Sequence, residues 1–545
     1  MKYQWYNRYP TLNREMPQTM IRYIIFITLF ISLQVSHAQN SDALPASHPA
    51  YRDCQTVYKQ LKKAIGDKRT TLPTLVVLDR KKRVASYRNL DNTIIIEKAA
   101  YTICQAMGTK KSAALAFLIG HELTHFYQQT DWKKGSAVTH FLLKHEVLKK
   151  YALQDEEADS YSAFIAYLAN YSTLDIIPEL LEGLYSAYGL DKNLDGYPSL
   201  EERKKVVQTV QRKVRKCIQM YESASYYIAI GWNLQAISCY LHLIKFIKTK
   251  EIYHNLGVVS LATAIEHPDS EEYSFLYPID IDLTNIFQRP YAVNGGQKKL
   301  LVDAEHYLKK ALNFDKNYCS AYLNLSCVYD LQGDVTNALT TLNTASNLSP
   351  TSLQRAKIAI IKGIVYAHRN QFKTASRYFD DANKHYQNLP VWYISNANKR
   401  ILANEKRSVE QYTIDLEDTM DDLSFRSKRR KSSSAIALKT SSILNMEVDF
   451  STQARSYFSR FVIENRLEGK TNFALLQRTR NKALETNQGV KVGDALSAVQ
   501  KAYKGIYFQV VHHNKGFFLV YPSKGLVFQF NLNNKLREWA IFCEY

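Results

Sequence analysis

Residues 112–129 read SAALAFLIGHELTHFYQQ, and this stretch decides the fold of the first part of the 545-residue chain. Its apolar residues recur at helical spacing and it contains no proline, so we expect a largely buried helix. His121 and His125 share one face of that helix, which lets both imidazoles reach a single zinc ion. Glu122 lies between them and is placed to meet a water on that ion. The stretch therefore predicts a zinc centre that activates water.

An acidic segment about 30 residues further on offers the additional ligand that zinc needs. Residues 153–168, LQDEEADSYSAFIAYL, form an acidic turn that leads into an amphipathic helix. Together with the HExxH motif, this segment resembles the HtpX and CaaX prenyl protease family of gluzincins, which pair the motif with a downstream Glu and an Asp four residues later. The resemblance implies that Asp159 holds a ligand histidine and that Asp155 occupies the ligand position. Glu156 is the alternative ligand, because it shares a helix face with Asp159.

A second match to this family lies at residues 197–203, YPSLEER. Family members often carry a His-Pro pair with an Arg six residues after the His, near the substrate-facing side of the metal. Tyr197 replaces that His here, and Arg203 keeps the spacing. The resemblance implies catalytic roles for both, since a tyrosine hydroxyl can donate a hydrogen bond to a developing oxyanion. For Arg203, a cation on a helix surface is the alternative.

The implied enzyme is a zinc metalloendopeptidase of the HExxH gluzincin type with one zinc ion per chain. Zinc would polarise the scissile carbonyl, and Glu122 would take a proton from the activated water and deliver it to the leaving amine. Short β-branched runs at residues 72–79 and 92–97 predict strands that precede the zinc helix. An edge strand of such a protease takes the substrate by β-addition.

The middle of the chain repeats with the period of a 34-residue helix–turn–helix unit. Its signature positions hold Tyr322, Leu325, Tyr329, Gly333, Ala338, Leu342, Ala345 and Pro350. A second register recovers Gly363, Tyr366, Ala375, Phe379 and Ala382. We expect a tetratricopeptide array over residues 206–390, with an insertion near 267–297. Such a solenoid presents a concave surface to extended partners, and a helical spacer that binds nothing is the alternative.

The N-terminus predicts export. Residues 24–35 are an apolar run preceded by Arg22, and residues 36–38, SHA, have small residues at positions −3 and −1. This pattern is typical of a secretory signal peptide over residues 1–38, because the run is too short to span a bilayer as a helix. We therefore expect an exported, periplasmic protein of the bacterial envelope, with association with the membrane as a further option.

The charge balance agrees with an envelope location. The chain has 71 Lys+Arg against 51 Asp+Glu, a formal net charge of +20. An exported chain does not meet a genome, so we expect no nucleic-acid partner. The basic run 426–431, RSKRRK, lies in a predicted basic linker over residues 391–450. Such a basic run is typical of a solvated segment, and peripheral contact with an anionic envelope surface is the alternative.

Residues 451–545 predict a small C-terminal α+β domain of an envelope type. A helix within residues 492–505 is followed by strand-like runs at 506–512, 516–521, 526–531 and 536–543. A helix before a meander is similar to the small envelope domains of the BamE and OmlA type. The predicted fold is thus multidomain and mainly α, with an α+β zincin-like metalloprotease domain over 39–205, the α-solenoid and this small domain.

Two functions follow from these patterns. The first is an exported zinc endopeptidase of BepA-like architecture, whose array recruits protein partners and unfolded or misassembled envelope proteins in quality control. The alternative is a non-catalytic chaperone or scaffold on a degenerate protease fold. Asp155 at the ligand position and Tyr197 in place of His motivate that alternative. The intact HExxH favours the enzyme, because a site without chemistry has no need of Glu122 beside two ligands.

Overall fold

Helices dominate the structure. The computed structural model describes residues 42–68, 71–128, 148–190, 199–265, 275–279, 296–385, 392–403, 436–439, 444–453, 456–465, 470–505, 507–512 and 516–544. Fifteen α-helices and eleven β-strands lie in these ranges, which confirms the predicted mainly helical, multidomain fold. No helix among them has the length and apolar character needed to cross a membrane. The predicted signal peptide, Tyr197 and the basic run 426–431 lie outside the described ranges.

The first unit combines a small sheet with six helices. Its elements are α1 (Pro49–Ile65), β1 (Thr74–Leu78), β2 (Ala85–Arg88), β3 (Thr93–Glu97), α2 (Lys98–Ala106), α3 (Lys111–Tyr127), α4 (Leu148–Leu168), α5 (Ile177–Tyr188) and α6 (Leu200–Ala229). The strand order is β1–β3–β2, with β3 parallel to β1 and antiparallel to β2. The strands predicted at 72–79 and 92–97 are confirmed as β1 and β3. The sequence analysis missed β2, a run of only four residues.

Helix α3 is the predicted buried helix and lies at the centre of this unit. Every residue from Ala114 to Tyr127 is buried, and the helix packs against α1, α4 and β2. Apolar residues on all sides are what a fully enclosed helix requires. At Gly120 the neighbouring helix α4 is so close that a Cβ would lie 2.6 Å from Ser162 Oγ and 3.3 Å from Ser162 Cα. This close approach brings α4 against the residues that follow Gly120.

One continuous helix crosses the predicted domain boundary between residues 205 and 206. A capping box of Ser199 and Glu202 starts α6, which then continues without interruption to Ala229. Val207, Val210 and other buried residues of α6 belong to the same hydrophobic core as α3 and the sheet. The helical period of these valines continues across the predicted boundary, so there is no break in packing at that point.

Stacked helix pairs follow. They comprise α7 (Asn233–Leu243), α8 (Lys250–Ile265), α9 (Gly296–Phe314), α10 (Cys319–Leu331), α11 (Val335–Asn347), α12 (Ser352–His368), α13 (Phe372–His385) and α14 (Trp392–Leu402). Successive helices pack on each other, and α8, α10, α12 and α14 also form a row in which each contacts the next. A Cβ at Gly257 would lie 2.7 Å from Leu308, and one at Gly363 would lie 2.5 Å from Phe379. Small residues therefore let the paired helices approach closely.

The C-terminal sheet begins earlier than predicted. Strands β4 (Ile436–Lys439), β5 (Leu444–Gln453), β6 (Ser456–Asn465), β7 (Lys470–Thr479), β8 (Phe508–His512), β9 (Gly516–Tyr521), β10 (Leu526–Phe530) and β11 (Leu536–Glu544) form one antiparallel sheet, with α15 (Leu496–Ala502) before β8. The order is β4–β5–β6–β7–β11–β10–β9–β8. Helix α14, strand β4 and the first part of β5 lie inside the segment 391–450 that was predicted as a linker. The alternation of Leu444, Met446, Val448 and Phe450 with polar residues is the strand pattern that the analysis missed.

The C-terminal sheet is docked on the first unit. Alternate residues of a strand point to opposite faces, so each strand contributes to two cores. Leu519, Tyr521, Trp539 and Ile541 pack on the side of α15. Phe518, Val520, Ala540 and Phe542 instead join the core of the first unit. There Tyr226 and Phe518 meet edge to face with ring centroids 4.9 Å apart.

Candidate metal centre

The imidazoles of His121 and His125 converge on one point. Their Nε2 atoms lie 3.0 Å apart, and the two rings stand at 83° to each other. Two imidazoles that bind one tetrahedral zinc ion at 2.0–2.1 Å hold their nitrogens about 3.3 Å apart. The pair therefore fits such an ion to within a few tenths of an ångström.

The outer nitrogen of each ring faces an oxygen. His121 Nδ1 lies 2.8 Å from Asp159 Oδ1, and His125 Nδ1 lies 3.0 Å from Gln128 Oε1. A carboxylate and an amide oxygen accept hydrogen bonds, so both Nδ1 atoms carry a proton and both Nε2 atoms present lone pairs. In this tautomer the two Nε2 lone pairs face each other at 3.0 Å, an arrangement that can hold a shared cation. Gln128 was not predicted, although its position three residues after His125 on the same helix is a usable signal.

Burial favours the protonation state that binds metal. His121 and His125 are at most 1% exposed. Burial, followed by the charge of His121, lowers the pKa of His125 to about 3. The ring of His125 is therefore neutral at neutral pH, which is the form that ligates a metal.

Asp159 joins His121 to Arg203. Burial would raise the pKa of Asp159, but the charge of Arg203 and the hydrogen bond with His121 outweigh burial, and the pKa lies below its ordinary value. A carboxylate in this position fixes the tautomer and the orientation of a ligand histidine. The resemblance implied this role for Asp159, and the structure places its carboxylate beside His121.

Arg203 lies against the carboxylate of Asp159. Its Nη2 is 2.7 Å from Asp159 Oδ2, and its side chain is only 6% exposed. Arg203 is therefore not a cation on the surface of the helix, and its predicted catalytic role stays a prediction. The capping box at Ser199 sets the start of α6 and brings Arg203, one turn later, against α4.

Glu122 is fully buried beside the two histidines. The side chains of Glu122, His121 and His125 are all enclosed. This enclosed state keeps the potential base and both imidazoles out of bulk water.

The two candidates for a third ligand, Asp155 and Glu156, belong to helix α4. Asp155 belongs to α4, but its side chain lies outside the described part of the chain, and no third His, Cys, Asp or Glu that is described joins the two histidines. Position 155 lies one turn before Asp159 and two turns before Ser162, on the face of α4 that contacts α3. Glu156 is half-buried. Its position lies about 120° around the helix axis from the position of Ser162.

One edge strand of the three-stranded sheet lies beside α3. Strand β2 packs on α3, and Tyr87 of β2 meets Phe126 of α3 edge to face with centroids 5.8 Å apart. The opposite edge strand, β1, already receives a hydrogen bond from Leu44 N to Val77 O at 2.8 Å. In the described sheet, β2 is thus the edge nearer the histidines.

A buried charge cluster links α4 to the C-terminal sheet. Tyr167 of α4 donates a hydrogen bond of 2.7 Å to Glu222 of α6. Glu222 pairs with Arg478 and Arg480 of the C-terminal segment, both at 2.8 Å. Glu538 pairs with the same arginines at 2.7 and 2.9 Å. We call these four charged residues the Glu222 network. This network was not predicted from the sequence. The only feature of the local sequence that points to it is the pair of arginines, two positions apart, at the end of β7.

Two comparisons with known proteins found no relative of this chain. No family model matches the chain, and a search of curated proteins found no significant match. Functional inference for this chain therefore depends on its own residues.

Proposed function

We propose that this chain is a zinc-dependent endopeptidase of the HtpX and CaaX prenyl protease type. The observation that carries the proposal is the 3.0 Å approach of two histidine nitrogens whose outer nitrogens are both held by oxygens. Neutral imidazoles in this arrangement suit a shared zinc ion. The adjacent carboxylate of Glu122 supplies the base that peptide hydrolysis requires.

Each residue of the centre then has a distinct task. Zinc, when bound, supplies a Lewis acid that polarises a carbonyl and makes a water acidic. Glu122 takes the proton from that water and passes it to the leaving amine. Asp159 holds the tautomer of His121, and Gln128 does the same for His125. Arg203 keeps Asp159 ionised in a buried environment.

Asp155 is the third ligand that we propose. Its position shares the face of α4 that holds Asp159 and Ser162 against α3, whereas the half-buried Glu156 lies away from that face. We expect Asp155→Ala to lose bound zinc and Glu156→Ala to retain it, as measured by metal analysis of the purified proteins. The opposite pattern assigns the ligand to Glu156.

Polypeptides are the proposed substrates. An extended segment would pair with the edge of β2, which packs on the zinc helix. The stacked helices from α8 to α14 would form the tetratricopeptide array that recruits unfolded or misassembled envelope proteins. The predicted signal peptide would bring the chain to the periplasm, where these polypeptides are found.

A non-catalytic chaperone is the second candidate, and the complete burial of Glu122 favours it. Cleavage of an unfolded protein separates the two candidates. We expect the mature native chain to cleave it in the presence of zinc and Glu122→Gln to lose cleavage while it keeps its zinc. Zinc binding without cleavage that depends on Glu122 would support the chaperone.

A further inference from the structure

A short segment of the chain lies along the row of helices α10, α12 and α14. Residues 275–279, FLYPI, belong to the insertion between α8 and α9. The ring of Phe275 meets His368 at the end of α12, with centroids 5.2 Å apart, and Phe379 of α13 at 6.4 Å. The segment thus contacts several helix pairs, as a peptide ligand of a solenoid does. It turns at Pro278, where Ile279 N donates a hydrogen bond of 3.0 Å to Tyr277 O.

The array holds the main chain of this segment through side chains. Asn398 of α14 accepts a hydrogen bond of 2.7 Å from Leu276 N and donates one of 3.0 Å to Leu276 O. Lys357 of α12 donates to Ile279 O at 3.3 Å. Asn398 and Lys357 are at most 1% exposed. These bonds are made to groups that every peptide carries, so they do not depend on the sequence of the bound segment.

Side-chain contacts add selectivity for aromatic residues. The hydroxyl of Tyr277 donates a hydrogen bond of 2.7 Å to Asp330 Oδ2 of α10, and His368 Nδ1 lies 3.0 Å from the same oxygen. Tyr277 is 8% exposed and Asp330 is 5% exposed, so this bond is shielded from water. We call the surface formed by α10, α12 and α14 under this segment the peptide groove. It accepts one aromatic ring at the position of Phe275 and a phenol two residues later.

We propose that residues 275–279 are an intramolecular ligand of a peptide groove, and that extended polypeptides with aromatic residues two positions apart compete with them for it. Residues at this spacing lie on one side of an extended strand. A foreign segment of this kind offers the groove the same main-chain groups and the same rings. The inference deepens the proposed recruiting role of the array, but it depends on neither zinc nor cleavage.

Fluorescence anisotropy on the full chain tests this inference. The probe is the labelled, C-terminally amidated peptide GGFLYPIGG. In the native chain, the internal segment lowers the apparent affinity for the probe, because only the fraction of open grooves can bind. Tyr277→Ala weakens that segment and raises the affinity at least about tenfold, since it removes a buried ring and a hydrogen bond to a charged group. Tyr277→Phe keeps the ring and gives a smaller gain.

Two controls make the result decisive. Adding Asn398→Ala to Tyr277→Ala abolishes the gain, and a probe with Ala in place of Tyr does not bind. If Tyr277→Ala lowers the thermal unfolding midpoint but does not increase binding, or if the gain survives Asn398→Ala, the segment is a structural brace and the inference is overturned. Should Tyr277→Ala fail to fold, an unchanged probe affinity of a folded Tyr277→Phe overturns it equally.

Discussion

Arg203 and Asp159 form a buried ion pair, with Nη2 and Oδ2 2.7 Å apart. The other oxygen of Asp159 lies against His121, so α6 and α4 together set the orientation of the first histidine of the motif. The orientation of His121 thus depends on a residue almost 80 positions after the motif, inside a helix that continues toward the stacked helix pairs.

Replacing Arg203 tests this dependence. Arg203→Met leaves the carboxylate of Asp159 buried without its cation, and we expect the free energy of unfolding to fall by about 3–5 kcal/mol. Loss of support behind a ligand histidine weakens zinc binding about 10–100-fold. Urea denaturation and a competitive zinc titration measure the two effects.

An exposed ion pair provides the matched control. Arg215 pairs with Asp175, and their side chains are 52% and 84% exposed. Arg215→Met is expected to cost less than about 1 kcal/mol and to leave zinc affinity unchanged. Equal effects of the two substitutions would contradict the positioning role of Arg203.

The close approach of α3 and α4 predicts a steric effect at Gly120. Gly120→Ala places a methyl group 2.6 Å from Ser162 Oγ, which now donates a hydrogen bond of 2.6 Å to Phe117 O. We expect α4 to shift and the free energy of unfolding to fall by about 1–3 kcal/mol. Adding Ser162→Gly relieves the clash, so the double variant should lose less stability than the sum of the single variants. Strict additivity in urea denaturation would argue against direct contact.

The Glu222 network predicts that the C-terminal sheet stabilises the first unit. After Glu222→Gln, the buried Arg478 keeps only Glu538 as a charged partner in the network. We expect the free energy of unfolding to fall by about 3–5 kcal/mol. Glu179→Gln is the surface control, because Glu179 and Lys110 are both about half exposed, and its expected cost is below about 1 kcal/mol. Similar unfolding midpoints for the two variants would show that the network contributes no stability.

The same network predicts a dependence of stability on acidity. Burial would raise the pKa of Glu222, but Arg478 and Arg480 outweigh burial and lower the pKa to about 2, from an ordinary value of 4.5. A carboxyl whose pKa is depressed on folding contributes stability above its unfolded pKa, and this contribution is lost as the pH falls toward the folded pKa. We therefore expect the stability difference between the native chain and Glu222→Gln to be constant above about pH 5 and to shrink between about pH 4.5 and 2. A difference that stays constant over this acidic range would contradict the ionised state of Glu222.

Hydrophobic periodicity was sufficient to predict helices and strands whose pattern depends only on residues close together in the sequence. The period of residues 112–129 predicted the buried helix α3, and β-branched runs predicted β1 and β3. The repeat signature of Gly363 and Phe379 agrees with their direct contact in a helix pair. In each case the decisive contacts lie within a few turns or within one repeat.

Contacts between distant residues could not be read from the sequence. Arg478 and Glu222 are 256 positions apart, and nothing in either neighbourhood indicates the partner. The same holds for Asn398 and Leu276, which are 122 positions apart. The change from the HExxH region to the repeat region suggests a domain boundary at residues 205 and 206, whereas the unbroken helical period of α6 does not.

Zinc content tests the central claim, that His121 and His125 share a metal ion, most directly. Mass spectrometric metal analysis of the purified mature chain should find about one zinc ion per chain in the native protein and in Glu122→Gln, since Glu122 is not a ligand. His125→Ala should hold less than about a tenth of that amount, whereas the exposed control His306→Ala should keep it. A native chain without zinc, or a His125→Ala variant with as much zinc as the native chain, would contradict the account.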